Sequence, residues 1–478
     1  MHLPIHLDRA RDVPLQNQLF EQMRDLIVSG QLKPESRIIA TRFLSEQLSV
    51  SRTTVLLAYE RLIAEGYLET RPAIGTFVCQ SLPGTAASPG PPPAAPIAVP
   101  PSNRRDGAID FALAPDDRLF PYKSWLRITQ TILDRQARRP LQIEYRPHDS
   151  GLPALRAVIA EWLAFHRGIV AAPEQVIVVA GLQQALAIAA ILAKAWRRMV
   201  VTECPGDSQT AALFDRFGGI RFDCPVDEDG LDVDRLPDEA AALAYVTPSH
   251  QRPLGGMLPG DRRERLLDWA AATGALLLED DSDGDFRYHG SAQPSLFSLA
   301  PPGRVIYLRR FSETMDVGLR LVYLVVPGTL VDAAQRVKAS LDSGTPWLEQ
   351  QVLAEFIGSG EYDRHLRMTR KILMERRDAL IGALTGRFGD IRLMGTAAGT
   401  RVNWLLPGSF GPADMIRGHA AEHGVRLHRP LCSAPAGAGK SLLDRVLTLG
   451  YATLAVPDIK KGVDCLADAL ALCGPAAE

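Results

Sequence analysis

A proline-dense stretch divides this chain, and it limits the fold more than any other feature. Residues 80–106 read "QSLPGTAASPGPPPAAPIAVPPSNRRD". Each proline removes a backbone donor and fixes φ, and the small residues between them carry no hydrophobic period. Such a segment cannot bury a core and is expected to be an extended, semi-stiff tether. The chain must therefore fold as two parts, residues 1–79 and residues 107–478. A length of 478 residues already exceeds what one compact core supports.

The bulk numbers exclude some functions. Hydrophobic residues make up 46% and charged residues 23%, as in an ordinary globular protein. The formal net charge is −2, so any nucleic-acid site must be local rather than a property of the whole surface. The cysteines, Cys79, Cys204, Cys224, Cys432, Cys465 and Cys473, show no C-x-x-C spacing and no companion histidines. They read as reduced thiols, and no metal-ligand set is assigned. The opening "MHLPIHLDRARDVPLQNQ" lacks the apolar run of a signal peptide. The most apolar stretch, "VIVVAGLQQALAIAAILAKAW", carries a Gly and two Gln near its start and reads as a strand followed by a buried helix. A soluble, cytoplasmic protein without a membrane partner is expected.

After residue 107 the pattern alternates. Apolar runs ("QVIVVA", "RMVVTEC", "AALAYVT", "ALLLED", "RVIYLRR", "LVYLVVP") are separated by amphipathic stretches such as "DRRERLLDWAAATG". Strands that are apolar throughout, between such helices, predict an α/β body with a mostly parallel sheet covered on both faces. From about residue 345 to 478, long helices mix with "TRVNWLLP", "VRLHRPL" and "RVLTLGYA", which predicts a smaller α+β lobe.

In the N-terminal part, "FLSEQLSVSRTTVLLAYERLIAEGYLETRPAIGTFV" predicts a helix, a tight turn and a second helix. Phe43, Leu44 and Leu48 suit the buried face of the first helix. Ser51 suits the N-cap of the second, and Val55, Tyr59 and Leu62 give it an inward stripe. Ser51, Arg52, Thr53 and Thr54 are then left on the exposed first turn, where a helix entering a major groove meets bases and phosphates. "YLETRPAIGTFV" reads as a wing with Gly75 at its tip, and Arg42 and Arg71 flank the groove. From Arg42 to Val78 this module resembles the GntR-type winged helix. The resemblance gives Arg42, Arg52, Thr54 and Gly75 the family's DNA-contact roles. Ile39, Ala40 and Ser49 depart from it, standing where Pro, Ser and Gly are usual.

The body resembles fold type I aminotransferases on "DFALAPDDRLFPYKSWLR", "YRPHDSGLPALRAVIAEWLAFHRGI", "VVAGLQQALAIAA", "VTPSHQRPLGGMLPGDRRERLLDWA", "LLLEDDSDGDFRY" and "LGYATL". A winged helix joined to such a body resembles the MocR-type subfamily of GntR regulators. That resemblance implies a homodimer on paired half-sites of operator DNA. It also implies a body that senses amino compounds through pyridoxal phosphate. The Gly181-Leu182-Gln183-Gln184 helix start suits an anion. Asp280 corresponds to the carboxylate that pairs with the pyridine nitrogen, Arg320 to the phosphate-binding arginine, and Arg445 to the arginine that holds a substrate carboxylate.

Five positions depart from that pattern. Glu313 stands where the Schiff-base lysine belongs. Ser282 replaces a tyrosine, Asp207 an aromatic residue, and Arg309 and Arg310 a Gly-Thr pair. Without an amine at position 313 the chain cannot form an internal aldimine. A carboxylate there also repels a phosphate, by about 2 kcal/mol per charge at ~7 Å and an effective dielectric of ~20. Arg310 and Arg320 either offset that repulsion or are themselves neutralised by Glu313. The expected function is a DNA-binding regulator whose body is a non-catalytic sensor and dimerisation module. No catalytic residue and no covalent cofactor are assigned. Its effector is expected to be an amine or amino acid, held between an acidic wall (Asp207, Asp280, Glu313) and a basic one (Arg320, Arg445). The alternatives are a sensor that binds pyridoxal phosphate non-covalently and an active aminotransferase.

Overall fold

The computed structural model describes residues 3–8, 13–71, 74–80, 107–138, 150–290, 293–315, 317–342, 344–433 and 440–473. The proline-rich segment, from residue 81, and residues 145–149 of "YRPHDSG" lie outside them. The chain divides into two compact units, Met1–Asn103 and Arg104–Glu478.

Among its described residues the first unit holds three helices, Leu15–Val28, Thr41–Gln47 and Arg52–Ala64, and an antiparallel hairpin, Leu68–Arg71 with Gly75–Val78. Its core joins Leu19, Phe20, Met23 and Ile27 of the first helix to Leu44, Val55, Ala58, Tyr59 and Leu62. Ser51 caps the third helix, its Oγ accepting from the Thr54 N–H at 3.1 Å. Tyr59 donates to the Ile39 carbonyl at 2.8 Å, pinning the entry to the second helix. The expected burial of Phe43 is corrected, since its side chain is 69% exposed. One residue is about 100° of helix, so with Leu44 aimed at the core its neighbour turns outward. Ser49 has φ of +54°, which accounts for the glycine usual at that turn.

The second unit is built on an eight-stranded sheet. Five parallel strands form its centre: Val305–Arg310, Leu276–Asp280, Ala241–Val246, Met199–Cys204 and Ile220–Asp227, in that spatial order. Val322–Val325 runs antiparallel beside the first of these and pairs on its far side with Val176–Val179. The parallel direction brings Cys204, Val246, Asp280 and Arg310 to one edge, where open α/β sheets place their ligands.

A three-stranded antiparallel sheet, Arg392–Met394, Arg401–Leu405 and Val446–Gly450, packs with helices Ala413–Glu422 and Val456–Cys473 into a separate core. Two features correct the expected lobe boundary near residue 345. Helix Trp347–Gly358 buries Val352, Leu353 and Phe356 against Leu155 and Ile159 of helix Pro153–Arg167 and Tyr323 of the large sheet. Strand Ile109–Phe111, from the start of the unit, pairs in parallel with Val425–Leu427 of the lobe. Helix Glu361–Phe388 serves both parts, Tyr362 in the large core and Leu373, Leu380 and Leu384 in the small one. No helix of the described residues is long and apolar enough to cross a membrane.

Candidate functional site

In the first unit the exposed turn after Ser51 presents Arg52 and Thr53 to solvent, while the Thr54 hydroxyl turns back to Ser51 Oγ at 2.8 Å. Arg42 lies 81% exposed beside Glu46, at 3.5 Å. Arg71 is held within the hairpin, 2.6 Å from Glu69 and 3.6 Å from Glu35, with its guanidinium over the Phe77 ring. Gly75 opens the second strand at φ +140°, and a Cβ there would meet Arg37 Nε at 3.0 Å.

In the second unit, Glu313 ends a short 3-10 turn that follows strand Val305–Arg310 directly. Its carboxylate accepts charge from two sides, Arg252 Nη2 at 3.1 Å and Arg310 Nη1 at 3.3 Å. Arg310 also reaches Asp280 Oδ2 at 3.2 Å and donates from Nε to Ser282 Oγ at 2.8 Å. Asp280 further accepts from the Tyr245 hydroxyl at 2.7 Å, from the Ser282 N–H at 3.0 Å and from the Ser282 hydroxyl. Arg252 forks onto Asp283 with bonds of 2.8 and 2.6 Å, and Arg401 stands 3.8 Å from the same carboxylate. Burial opposes the charge on Arg252, yet Asp283 and Glu313 hold its pKa well above the usual value. Burial likewise opposes the charge on Asp283, and Arg252 and Arg401 override it to keep that carboxyl well below the ordinary range. Arg401 is shifted down, first by burial and then by the neighbouring Arg252.

Of the two arginine fates left open by the sequence, Arg310 is the one neutralised by Glu313. Arg320 is exposed and, among the described residues, has no acid partner. At φ +46° its guanidinium lies beside the helix start at Gly181, where an added Cβ would sit 3.2 Å from Nη2. Gln183 is exposed on that first turn. Arg309 faces the other side of its strand, pairs with Asp285 and covers the Trp162 ring at 4.5 Å.

Two expectations are corrected here. Arg445 does not enter the site, because its guanidinium is exposed and donates to the Leu406 carbonyl at 2.8 and 3.2 Å. The lobe-sheet face turned toward the large sheet carries instead Arg401, Asn403 and Thr448, with Asn403 donating to the Pro253 and Leu254 carbonyls. The acidic wall is not free either: Asp280 and Glu313 are paired, and Asp207 caps helix Ser208–Arg216 by accepting from the Thr210 N–H at 2.7 Å. Next to this network lies a cleft of about 530 Å³, lined by Asp207, Arg252, Arg401, His428, Arg429 and the stretch 112–114.

Sequence reasoning missed Arg252, Asp283 and Arg401. It also missed Glu203, a buried carboxylate pushed up to about 7 by burial, which accepts from the Thr247 N–H at 2.8 Å and Gln251 Nε2 at 3.1 Å. The readable signal was arginine in "HQRPLGG" and "GTRVNW", each beside glycine or proline near a chain reversal.

The residues fit pyridoxal phosphate at one end only. Gly181 and Arg320 suit a phosphate. At the ring end the Asp280 carboxylate is already engaged by Tyr245, Ser282 and Arg310, and position 313 offers a paired carboxylate. The site as a whole does not fit the cofactor, and no chemical step is derived through it.

Residues 15–78 match the family of bacterial regulatory proteins of the gntR type. The probable rhizopine catabolism regulatory protein MocR of Rhizobium meliloti is 36% identical over 399 residues, covering 80% of each chain. The uncharacterized HTH-type transcriptional regulator YdeL of Bacillus subtilis is 31% identical over 97% of this chain and 98% of its own length. Among solved structures, LysN, the alpha-aminoadipate aminotransferase of Thermus thermophilus, superposes with a TM-score of 0.66 at 29% identity, over 77% of this chain and 93% of its own. Because such relatives match the winged helix and the aminotransferase-like body in one continuous alignment, the chain belongs to the MocR-type subfamily of the GntR transcriptional regulators.

Proposed function

We propose that this regulator binds operator DNA as a homodimer and that its aminotransferase-like body reads a small ligand without covalent chemistry. The observation that carries the reading is Glu313 held between Arg252 and Arg310. A carboxylate cannot condense with an aldehyde, and this one is fixed by two cations. The ligand is an amino acid or related carboxylate seated in the 530 Å³ cleft. Arg401 supports that class: it lines the cleft and has Asp283, at 3.8 Å, as its nearest acid. A planar guanidinium so placed suits a carboxylate. Arg401 thus suits the ligand's acid end, and Asp207, which lines the same cleft and has no cation partner among the described residues, suits its amino end.

The test uses the full chain. Wild-type protein is mixed with excess pyridoxal phosphate, reduced with borohydride and mapped by peptide mass. A panel of amino acids, amines and carboxylates is then scored for thermal stabilisation and for altered affinity to DNA selected by the protein itself. Adduct confined to lysines outside the site is expected, and any responsive ligand loses its effect in Arg401→Ala. An adduct on a residue of the cleft, or a response untouched by that substitution, sinks the reading. The second reading is a site that holds a phosphate-bearing ligand by that end alone, at the Gly181 helix start and Arg320, and pyridoxal phosphate is its probe. Equilibrium dialysis with wild type and Arg320→Ala separates the two.

A further inference from the structure

Arg309 and Arg310 are adjacent on one strand, so their side chains leave opposite faces of the sheet. Arg310 is the one turned to the cofactor-like site, and all three of its guanidinium nitrogens are used there. Nε donates to Ser282 Oγ at 2.8 Å, Nη2 reaches Asp280 Oδ2 at 3.2 Å, and Nη1 lies 3.3 Å from Glu313 Oε1. The side chain is 11% exposed. Ser282 is small enough to let it in, and its hydroxyl is shared between Asp280 and Arg310.

We propose that the Arg310 guanidinium takes the place of the cofactor's ring. It is a flat cation that donates an N–H to Asp280, as a protonated pyridine nitrogen would. Three of the sequence departures then form one replacement: Ser282 opens the space, Arg310 fills it, and Glu313 balances the charge on its far side. Exclusion of pyridoxal phosphate is therefore set by Arg310 as well as by the absent lysine. The inference rests on the reading that this body does no covalent chemistry, and it adds a second barrier to that reading.

The experiment separates the two. Full-length wild type, Glu313→Lys, and Glu313→Lys combined with Arg310→Thr are each incubated with pyridoxal phosphate and reduced with borohydride. The introduced amine condenses with the aldehyde carbon and releases water, and hydride from borohydride converts the C=N bond to a secondary amine. Peptide mass then measures the adduct at position 313, which distinguishes it from surface lysines. Adduct in the double variant at least tenfold above the single variant is expected. A single variant that forms it within twofold of the double overturns the inference. So does a double variant that forms none while keeping wild-type circular dichroism and cooperative melting. If the double variant fails to fold, Glu313→Lys with Arg310→Gln replaces it and is judged by the same tenfold criterion. Adduct on a cleft residue of the wild type refutes the proposed function instead.

Discussion

Replacing Asp283 with alanine tests the charge network at its most buried point. Asp283 takes both bonds of the Arg252 fork and lies 3.8 Å from Arg401, and its side chain is 6% exposed. The described cluster pairs three arginines, Arg252, Arg310 and Arg401, with three acids, Asp280, Asp283 and Glu313. Removing one acid leaves a net buried cation. Breaking a buried pair from one side costs about 3–5 kcal/mol. A unit of roughly 375 residues unfolds with an entropy of about 0.8 kcal/mol per kelvin, so its Tm should fall by about 4–6 °C. Differential scanning calorimetry of the full chain at pH 7 measures this. The pH dependence is also fixed. The folded-state pKa of Asp283 is lowered, so its contribution is complete above the unfolded value near 3.9 and is lost only as pH falls through the lower folded value. The gap between wild type and Asp283→Ala should therefore stay constant from pH 7 to pH 5. A shift below 1 °C, or a gap that closes within that range, refutes the reasoning.

Ser49→Gly relieves the left-handed backbone at φ +54° and should stabilise the N-terminal unit by about 0.5 kcal/mol after the greater freedom of an unfolded glycine is counted; chemical denaturation followed in that unit measures it, and destabilisation would contradict it. Arg52→Ala should weaken DNA binding and flatten the slope of log K against log salt by about 0.9 if the side chain meets a phosphate; fluorescence anisotropy over a salt series shows failure as unchanged affinity and slope. His250 is buried and its pKa is pushed down to about 4 by burial. The unfolded ring protonates near 6.5, so stability present above that pH is lost as pH falls toward 4, by about 3 kcal/mol. His250→Gln should remove that slope. Glu203 and Glu279, both pushed up to about 7 by burial, act in the opposite sense between 4.5 and 7 and cancel in the comparison with wild type.

Much of the fold was legible because its signals are local. Val55, Tyr59 and Leu62 declare an inward face by spacing alone, and all three are buried. The runs "QVIVVA" to "LVYLVVP" each become strands of the large sheet. Phe43 misled because a seven-residue helix has too few turns for periodicity to choose between neighbours. The lobe boundary misled because strand Ile109–Phe111 returns to its partner from the far end of the unit, a pairing no local pattern records. In the site, Glu313 and its i−3 neighbour Arg310 were readable. Arg252 and Arg401 reach the same point from distant segments, and their meeting follows from the sheet order rather than from spacing. Arg445 was placed by its neighbourhood of residues, yet a position at the mouth of a strand can satisfy its guanidinium on a carbonyl of the next strand, as Leu406 does here.

The strand Ile109–Phe111 has one more consequence. Asp110 grips Arg426 at 3.1 Å and His428 at 2.5 Å, and the next three residues, 112–114, form part of the cleft wall. One wall of the cleft is therefore the direct continuation of a strand that Asp110 anchors to the small lobe, so that wall and the lobe's edge are tied through three residues of main chain.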